Sequence, residues 1–238
     1  MEKPVPAPLS RLHRTMKLSI VIPVLNEAGN LPGLLARLAP LRARGTEIIV
    51  VDGGSSDGSA GIAERAGVVV IRSPAGRALQ MNAGAARATG DALLFLHADT
   101  TLPPSADRIV AAALHGSCAW GRFDVHIDGR SPMLPLVAAM MNLRSRLTGI
   151  ATGDQAIFVT RAAFETVGSF APLPLMEDIE FSRRLKALSP PACLRQRVHT
   201  SGRRWETRGV WRTILLMWRL RWAWWRGVPA EQLAERYR

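Results

Sequence analysis

Four short stretches put reactive side chain types where one chain could bring them together. An apolar run at 18–23 (LSIVIP) is followed by Asn26 and Glu27. A second run at 47–51 (EIIVV) ends at Asp52, and the loop GGSSDGS fills 53–59. A third, ALLFL at 92–96, leads into His97 and Asp99. Glu177 and Asp178 stand side by side ahead of an amphipathic stretch. A carboxylate beside glycines can accept from a base N–H or a ribose hydroxyl, because glycine lets a ligand approach the backbone. An acid and an imidazole after a buried strand could hold a hard divalent cation, whose other ligands come from substrate phosphates. One of two adjacent acids can act as a general base. Each stretch also has a plain structural reading. Asp52 and Asp99 could be turn residues, and acids in the first turn of a helix suit its macrodipole. The glycine loop is neither G-x-G-x-x-G nor a Walker A loop.

The elements that must position these groups follow from apolar spacing. Strands are predicted at 18–23, 47–51, 68–71 and 92–96, and helices after the first strand, up to residue 66 and over 77–88. This alternation predicts an α/β fold with a parallel sheet and helices on both faces. Such sheets bind ligands at the carboxyl ends of their strands. Asn26, Glu27, Asp52, His97 and Asp99 all fall at those ends, so their convergence points to a site. The second half is less regular. Strands are predicted at 120–127, within 154–159 and at 192–198, and helices at 132–147, 177–188 and 210–226.

The segments IVIPVLNE (20–27), VVDGGSSDGS (50–59), RALQMNAGAARATGDALLFLHADT (77–100) and MEDIEFSRRL (176–185) resemble, in order and spacing, family 2 inverting glycosyltransferases of the GT-A fold. GDQAIF (153–158) and GRRWETRGVW (202–211) are similar to a smaller bacterial branch. The resemblance implies a nucleotide-diphospho-sugar transferase with a Rossmann-like, mostly parallel sheet. It implies that Pro23, Asn26, Glu27, Asp52, Arg77, Asp154 and Gln155 serve the nucleotide-sugar, usually a UDP-sugar. It places Mg²⁺ or Mn²⁺ on Asp99, with His97 standing where the first acid of the DxD-type motif is usual. Asp178, beside Glu177, matches the base that deprotonates an acceptor hydroxyl. Arg203, Arg204 and Trp205 are similar to the Q-x-x-R-W motif of processive members, but Gly202 precedes them and the Gln is missing. That argues against a long-chain polysaccharide synthase.

The chain has 238 residues, 47% hydrophobic and 21% charged, which excludes a disordered or fibrous protein. Its net charge is +12, from 31 basic and 19 acidic residues. Such an excess attracts polyanions. Half of it lies in 203–238, and five of the seven tryptophans lie in 211–225. On a helix, Trp211, Trp218, Trp222 and Trp225 share a face next to a stripe of Arg208, Arg212, Arg219 and Arg226. Trp beside Arg suits an anionic membrane surface. The other reading is a helix packed on the domain through its Trp face. No nucleic acid partner is expected. The sugar-nucleotide site is expected to be lined mainly by acids. Cys118 and Cys193 make no disulfide framework, so a cytoplasmic location is expected, and the Trp/Arg-rich tail points to a peripheral position on the inner face of the cell membrane. His126 and His199 show no metal-ligand spacing.

The expected organisation is a mobile basic tail at 1–16, a GT-A domain at 17–205 and a Trp/Arg-rich helical extension at 206–238. The alternatives are a non-catalytic nucleotide-sugar or membrane-binding module of the same fold, and a nucleotidyltransferase, against which Asn26 and Glu27 count.

Overall fold

A computed structural model describes residues 16–237. The tail expected at 1–16 falls, apart from Met16, outside them. The chain opens with β1 (Leu18–Val24), α1 (Leu31–Ala43), β2 (Glu47–Asp52), α2 (Ser59–Arg65), β3 (Val69–Arg72), α3 (Arg77–Arg87) and β4 (Ala92–Phe95). β1 pairs in parallel with β2 and β4, and β2 with β3, so their carboxyl ends share one edge. Every residue of β1 is buried, because helices cover both faces of the sheet. Ile20 and Ile22 pack with Leu31, Leu34 and Leu38 of α1, while Val21 faces Met81 and Ala85 of α3. α3 lies very close to the sheet through Gly84, where a Cβ would meet Val21 Cγ1 at 2.3 Å.

Then come β5 (Thr100–Thr101), α4 (Ala106–Leu114), β6 (Trp120–Asp128), α5 (Leu134–Thr148), a 3-10 turn (Gly153–Gln155), β7 (Phe158–Thr160) and α6 (Arg161–Thr166). α7 (Glu177–Leu188), β8 (Ala192–Ser201), α8 (Arg203–Arg208), α9 (Val210–Trp225) and α10 (Ala230–Tyr237) complete the chain. The eight strands form one sheet, ordered β3-β2-β1-β4-β7-β6-β8-β5. β7 runs antiparallel to β4 and β6, and β5 to β8, while β6 and β8 are parallel. The sheet is therefore mixed, mostly parallel. α8 runs across the boundary expected between residues 205 and 206.

Two connections fix the cleft. Arg122, fully buried in β6, pairs with Asp124 and donates to Ser145 Oγ of α5 at 3.0 Å. Asn142 of α5 exchanges two hydrogen bonds with the Val125 backbone, at 2.9 and 3.0 Å. α5 is thus locked to the sheet on one side. Leu220, Ala223 and Leu233, from α9 and α10, form a third small core with Leu175 and Met176. The C-terminal helices consequently pack against the residues that lead into Glu177 and Asp178.

Candidate functional site

A polar cavity of about 600 Å³ lies at the carboxyl ends of β1 and β4. Pro23, Glu27, Arg77, His97, Asp99 and Asp154 line it, six of the residues picked from the sequence. So do Arg203, Arg204 and Arg208 of α8. Four arginines thus face three carboxylates, and the expectation of a mainly acidic lining is corrected. The reason is long-range: α8 enters the cleft from the far end of the chain. Arg204 is crowded, since burial and the like charge of Arg77 lower its pKa. Its guanidinium also lies 4.4 Å from the centre of the Tyr237 ring.

Gln80 of α3 sits at the floor of this cavity, 3% exposed. Its Nε2 donates to the carbonyls of Val24 and Val51, both at 2.8 Å, and so ties the ends of β1 and β2 together. Nothing in the residue spacing marks Gln80.

A second cavity, of about 490 Å³, adjoins the first. Arg77, His97, Asp154, Arg204 and Trp205 line both. Its remaining walls are mostly apolar, from α5 (Leu136, Val137, Met140) and α9 (Ile214, Met217, Trp218). Glu177 and Asp178 line only this second cavity. Met176 has left-handed backbone, φ 68°, at the start of α7, and this bend delivers both acids to the cleft.

The two acids are unlike. Asp178 is held by backbone donors: Gly153 N–H to Oδ2 at 2.9 Å and Ile179 N–H to Oδ1 at 2.8 Å. Glu177 is 5% exposed, and burial and the charge of Asp178 push its pKa up to about 7. Opposed environments on neighbouring acids are a mark of assigned roles in catalysis. In the shared wall, Asp154 Oδ1 lies 3.2 Å from His97 Nδ1. Desolvation raises Asp154, but the His97 hydrogen bond and the charges of His97, Arg77 and Arg204 outweigh it, so its pKa is lowered. The His97 ring is also packed on Gly153.

The chemistry of the donor set fits a divalent cation at Asp99 only in part. Asp99 offers one carboxylate to the polar cavity, as an Mg²⁺ site shared with a diphosphate needs. His97 Nδ1 faces Asp154, and its Nε2 edge is packed over Gly153. The strand pairing makes a different cluster: His126, Asp128 and His199, whose ligand atoms lie within 4.8 Å of one another. Asp128 Oδ1 is 3.1 Å from His199 Nδ1 and 3.5 Å from His126 Nε2. These residues do not line either cavity.

Three expected ligand-binding residues are not among those that line the two cavities. Asp52 is 3% exposed and its carboxylate accepts from Gly54 and Ser55 N–H at 3.2 Å, as in a plain turn. Asn26 Oδ1 accepts from Ser56 N–H at 2.9 Å, and the Asn26 backbone N–H donates to Ser55 Oγ at 2.9 Å, pinning the β2–α2 loop. Gln155 is fully buried and bonds Asn142 Oδ1 at 3.3 Å, tying the 3-10 turn to α5.

On α9 the four tryptophans of the expected face are exposed, from 61% at Trp222 to 80% at Trp225. The opposite side packs, through Leu220 and Ala223. The reading in which the Trp face is buried on the domain is therefore overturned. Among the described residues, no helix is long and apolar enough to cross a membrane.

The parallel half-sheet with a ligand cleft at its strand ends is the GT-A arrangement of nucleotide-sugar transferases. TarS 1–349 of S. aureus in complex with UDP superposes with a TM-score of 0.63 at 21% identity, over 78% of this chain and 60% of that one. The mannosyltransferase PcManGT of Pyrobaculum calidifontis in complex with GDP-Man and Mn²⁺ gives 0.58 at 18% identity, over 79% and 57%. In sequence, the chain is 33% identical over 159 residues to an undecaprenyl-phosphate 4-deoxy-4-formamido-L-arabinose transferase of Yersinia enterocolitica, 61% of this chain and 48% of that protein. It is 36% identical over 152 residues to a transferase of the same name from Klebsiella pneumoniae, 58% and 46%. The chain spans about half the length of these curated relatives. The family model Glycosyl transferase family 2 matches residues 19–164, and the chain belongs to that family.

Proposed function

We propose that this protein transfers a sugar from a nucleoside-diphosphate sugar, a UDP-sugar by preference, to an acceptor hydroxyl, with inversion, at the cytoplasmic surface of a membrane. The observation that carries the reading is the wall shared by two cavities of opposite character. The polar, arginine-lined cavity suits the nucleoside diphosphate. The apolar cavity suits the acceptor, and Asp178 stands in it. In this mechanism Arg77 and Arg204 stabilise the negative charge that develops on the leaving diphosphate. A divalent cation would be held by Asp99 and would supply further charge neutralisation there. Asp178, fixed by two backbone N–H groups, takes the proton of the acceptor hydroxyl. The acceptor oxygen then attacks the anomeric carbon while the bond to the diphosphate breaks. One displacement inverts that centre. Glu177, with its pKa raised to about 7, is mostly protonated below that pH and there keeps a second negative charge away from Asp178.

The test is UDP release from UDP-sugars by purified protein with Mg²⁺ or Mn²⁺, in the presence of lipid acceptors. Asp178→Asn should lower turnover at least a hundredfold and leave UDP affinity within twofold. Turnover unchanged in Asp178→Asn would sink the assignment of the base. Absence of any nucleoside-diphosphate binding by calorimetry would sink the function.

A further inference from the structure

At the end of β6, two histidines and an aspartate share the outer face of the sheet. Val125 and Ile127 of β6 and Val198 and Thr200 of β8 are buried, so strand alternation places His126, Asp128 and His199 on the opposite face. The parallel register sets His126 beside His199, with Asp128 two residues further along the same face. β8 is paired on its other side as well, Thr101 of β5 against His199, so the backbone that carries His199 is fixed from both sides. The two imidazole rings stand 4.9 Å apart, tilted by 50°. Each brings a nitrogen to the same oxygen: Asp128 Oδ1 is 3.1 Å from His199 Nδ1 and 3.5 Å from His126 Nε2. Tetrahedral Zn²⁺ bound at ~2.0 Å holds its ligand atoms ~3.3 Å apart. Two edges of the triangle are close to that length, and one ligand atom from each residue lies within 4.8 Å of the others. The three side chains are 34–57% exposed, so an ion with its water can reach them and the rings can turn onto it.

We propose that His126, Asp128 and His199 form a Zn²⁺ site, completed by water and separate from the cation position at Asp99. Two imidazoles and one carboxylate favour a borderline ion such as Zn²⁺, whereas carboxylate, phosphate and water favour Mg²⁺ or Mn²⁺. Asp99 offers oxygen alone and shares its ion with substrate phosphate, so the two sites take different metals. The cluster lines neither cavity. Its neighbours point to a structural ion at the root of α8. The Asp128 carbonyl accepts from Gly202 N–H at 2.7 Å, and a side chain at 202 would collide with that carbonyl. Arg130 N–H donates to Glu206 of α8 at 2.6 Å. α8 thus hangs from the turn that follows Asp128, and it carries Arg203, Arg204 and Arg208 into the polar cavity. Zn²⁺ between β6 and β8 cross-links the two strand ends from which α8 departs. Because the backbone bonds already seat α8, the ion adds stability to the fold rather than affinity for nucleotide.

The test is calorimetry and thermal melting of the whole chain with zinc chloride and no nucleotide. Wild type should bind one Zn²⁺ ion per chain, at least tenfold more tightly than Mg²⁺ or Mn²⁺. With free Zn²⁺ at about 100 times Kd, the melting temperature should rise by about 5 °C. His126→Ala and His199→Ala should each weaken Zn²⁺ binding at least tenfold, and the double variant should abolish the rise. These side chains lie outside the core, so the variants should melt with wild type in EDTA and keep their UDP affinity within twofold, which separates a lost ligand from a lost fold. Asp99→Asn should keep its Zn²⁺ affinity within twofold. Co²⁺ in place of Zn²⁺ should give the visible bands of a nitrogen and oxygen site. A strong near-ultraviolet thiolate band would assign the ion to Cys118 or Cys193 and overturn the proposal. Zn²⁺ binding that is undiminished in the double histidine variant, lost in Asp99→Asn, or no tighter than that of Mg²⁺ would overturn it equally.

Discussion

The backbone N–H of Gly153 donates to Oδ2 of Asp178 across 2.9 Å, and no side chain stands between them. The same glycine is covered by His97: a Cβ at 153 would sit 2.5 Å from Nε2 and 2.6 Å from Cε1 of that ring. Gly153 therefore joins the shared wall to the proposed base. Gly153→Ala must displace His97, the 3-10 turn, or both. The expected outcome is a fall in kcat of at least tenfold with donor KM changed far less. In an His97→Ala background the ring is gone, and adding Gly153→Ala should then cost less than threefold. A full tenfold loss in both backgrounds would show that the ring contact is not the cause.

Glu177 predicts a dependence of stability on pH. Its folded pKa of about 7 lies above the ordinary 4.5, so the folded protein holds a proton that the unfolded chain releases between those values. The sign follows from linkage: stability falls as pH rises from about 4.5 to about 7, and the loss is complete above that. At ~1.4 kcal/mol per unit, the full loss for this 5% exposed group is about 3 kcal/mol. Glu177→Gln should abolish the fall and melt higher than wild type at pH 8, with the two nearly equal at pH 4.5. Urea midpoints of both proteins across this range measure it. Parallel pH profiles for the two proteins would remove Glu177 as the cause.

The first four strands and their helices were legible because each is an apolar run closed by polar residues, and both faces of that half-sheet are buried. The acids at the strand ends were legible for the same reason, since a parallel sheet puts them on one edge. Which of them line a cavity was not. Asp52 stands at a strand end yet spends its oxygens on Gly54 and Ser55. Arg203 and Arg204 of α8 were seen only as a departure from a motif and Arg208 only as part of the stripe beside the tryptophans, because a six-residue helix shows no periodicity of its own. β5 has two residues and exists through its pairing with β8 across nearly a hundred positions. His126 and His199 are scattered in sequence, and only the β6–β8 register sets them opposite each other.

Two candidate metal sites are distinguishable by substitution. Asp99 lines the polar cavity, whereas the cluster of His126, Asp128 and His199 does not. Mn²⁺-assisted binding of UDP should need at least tenfold more Mn²⁺ in Asp99→Asn than in wild type. His199→Ala should leave it within twofold. Calorimetric titration of UDP at several Mn²⁺ concentrations reads both. The reverse ordering would move the nucleotide-linked cation to the β6–β8 cluster. Because Arg77 and Arg204 line the same cavity, UDP binding in EDTA should be weakened and still measurable.

The exposed face of α9 predicts how the protein meets a membrane. Trp211, Trp218, Trp222 and Trp225 are 61–80% exposed, and Arg212, Arg219 and Arg226 are exposed on the same helix. Arg226 lies 5.2 Å from the centre of the Trp222 ring, so ring and charge would reach the headgroup layer together. Aromatic insertion and phosphate attraction should both contribute, so binding should need anionic lipid and weaken with salt. Wild type should float with vesicles containing phosphatidylglycerol and at least fivefold less with phosphatidylcholine alone. Replacing all four tryptophans by Ala should lower flotation on anionic vesicles at least fivefold. Because these rings are mostly outside the core, the melting temperature of that variant should stay within a few degrees of wild type. Undiminished flotation of a stable quadruple variant would leave the arginines as the sole attachment.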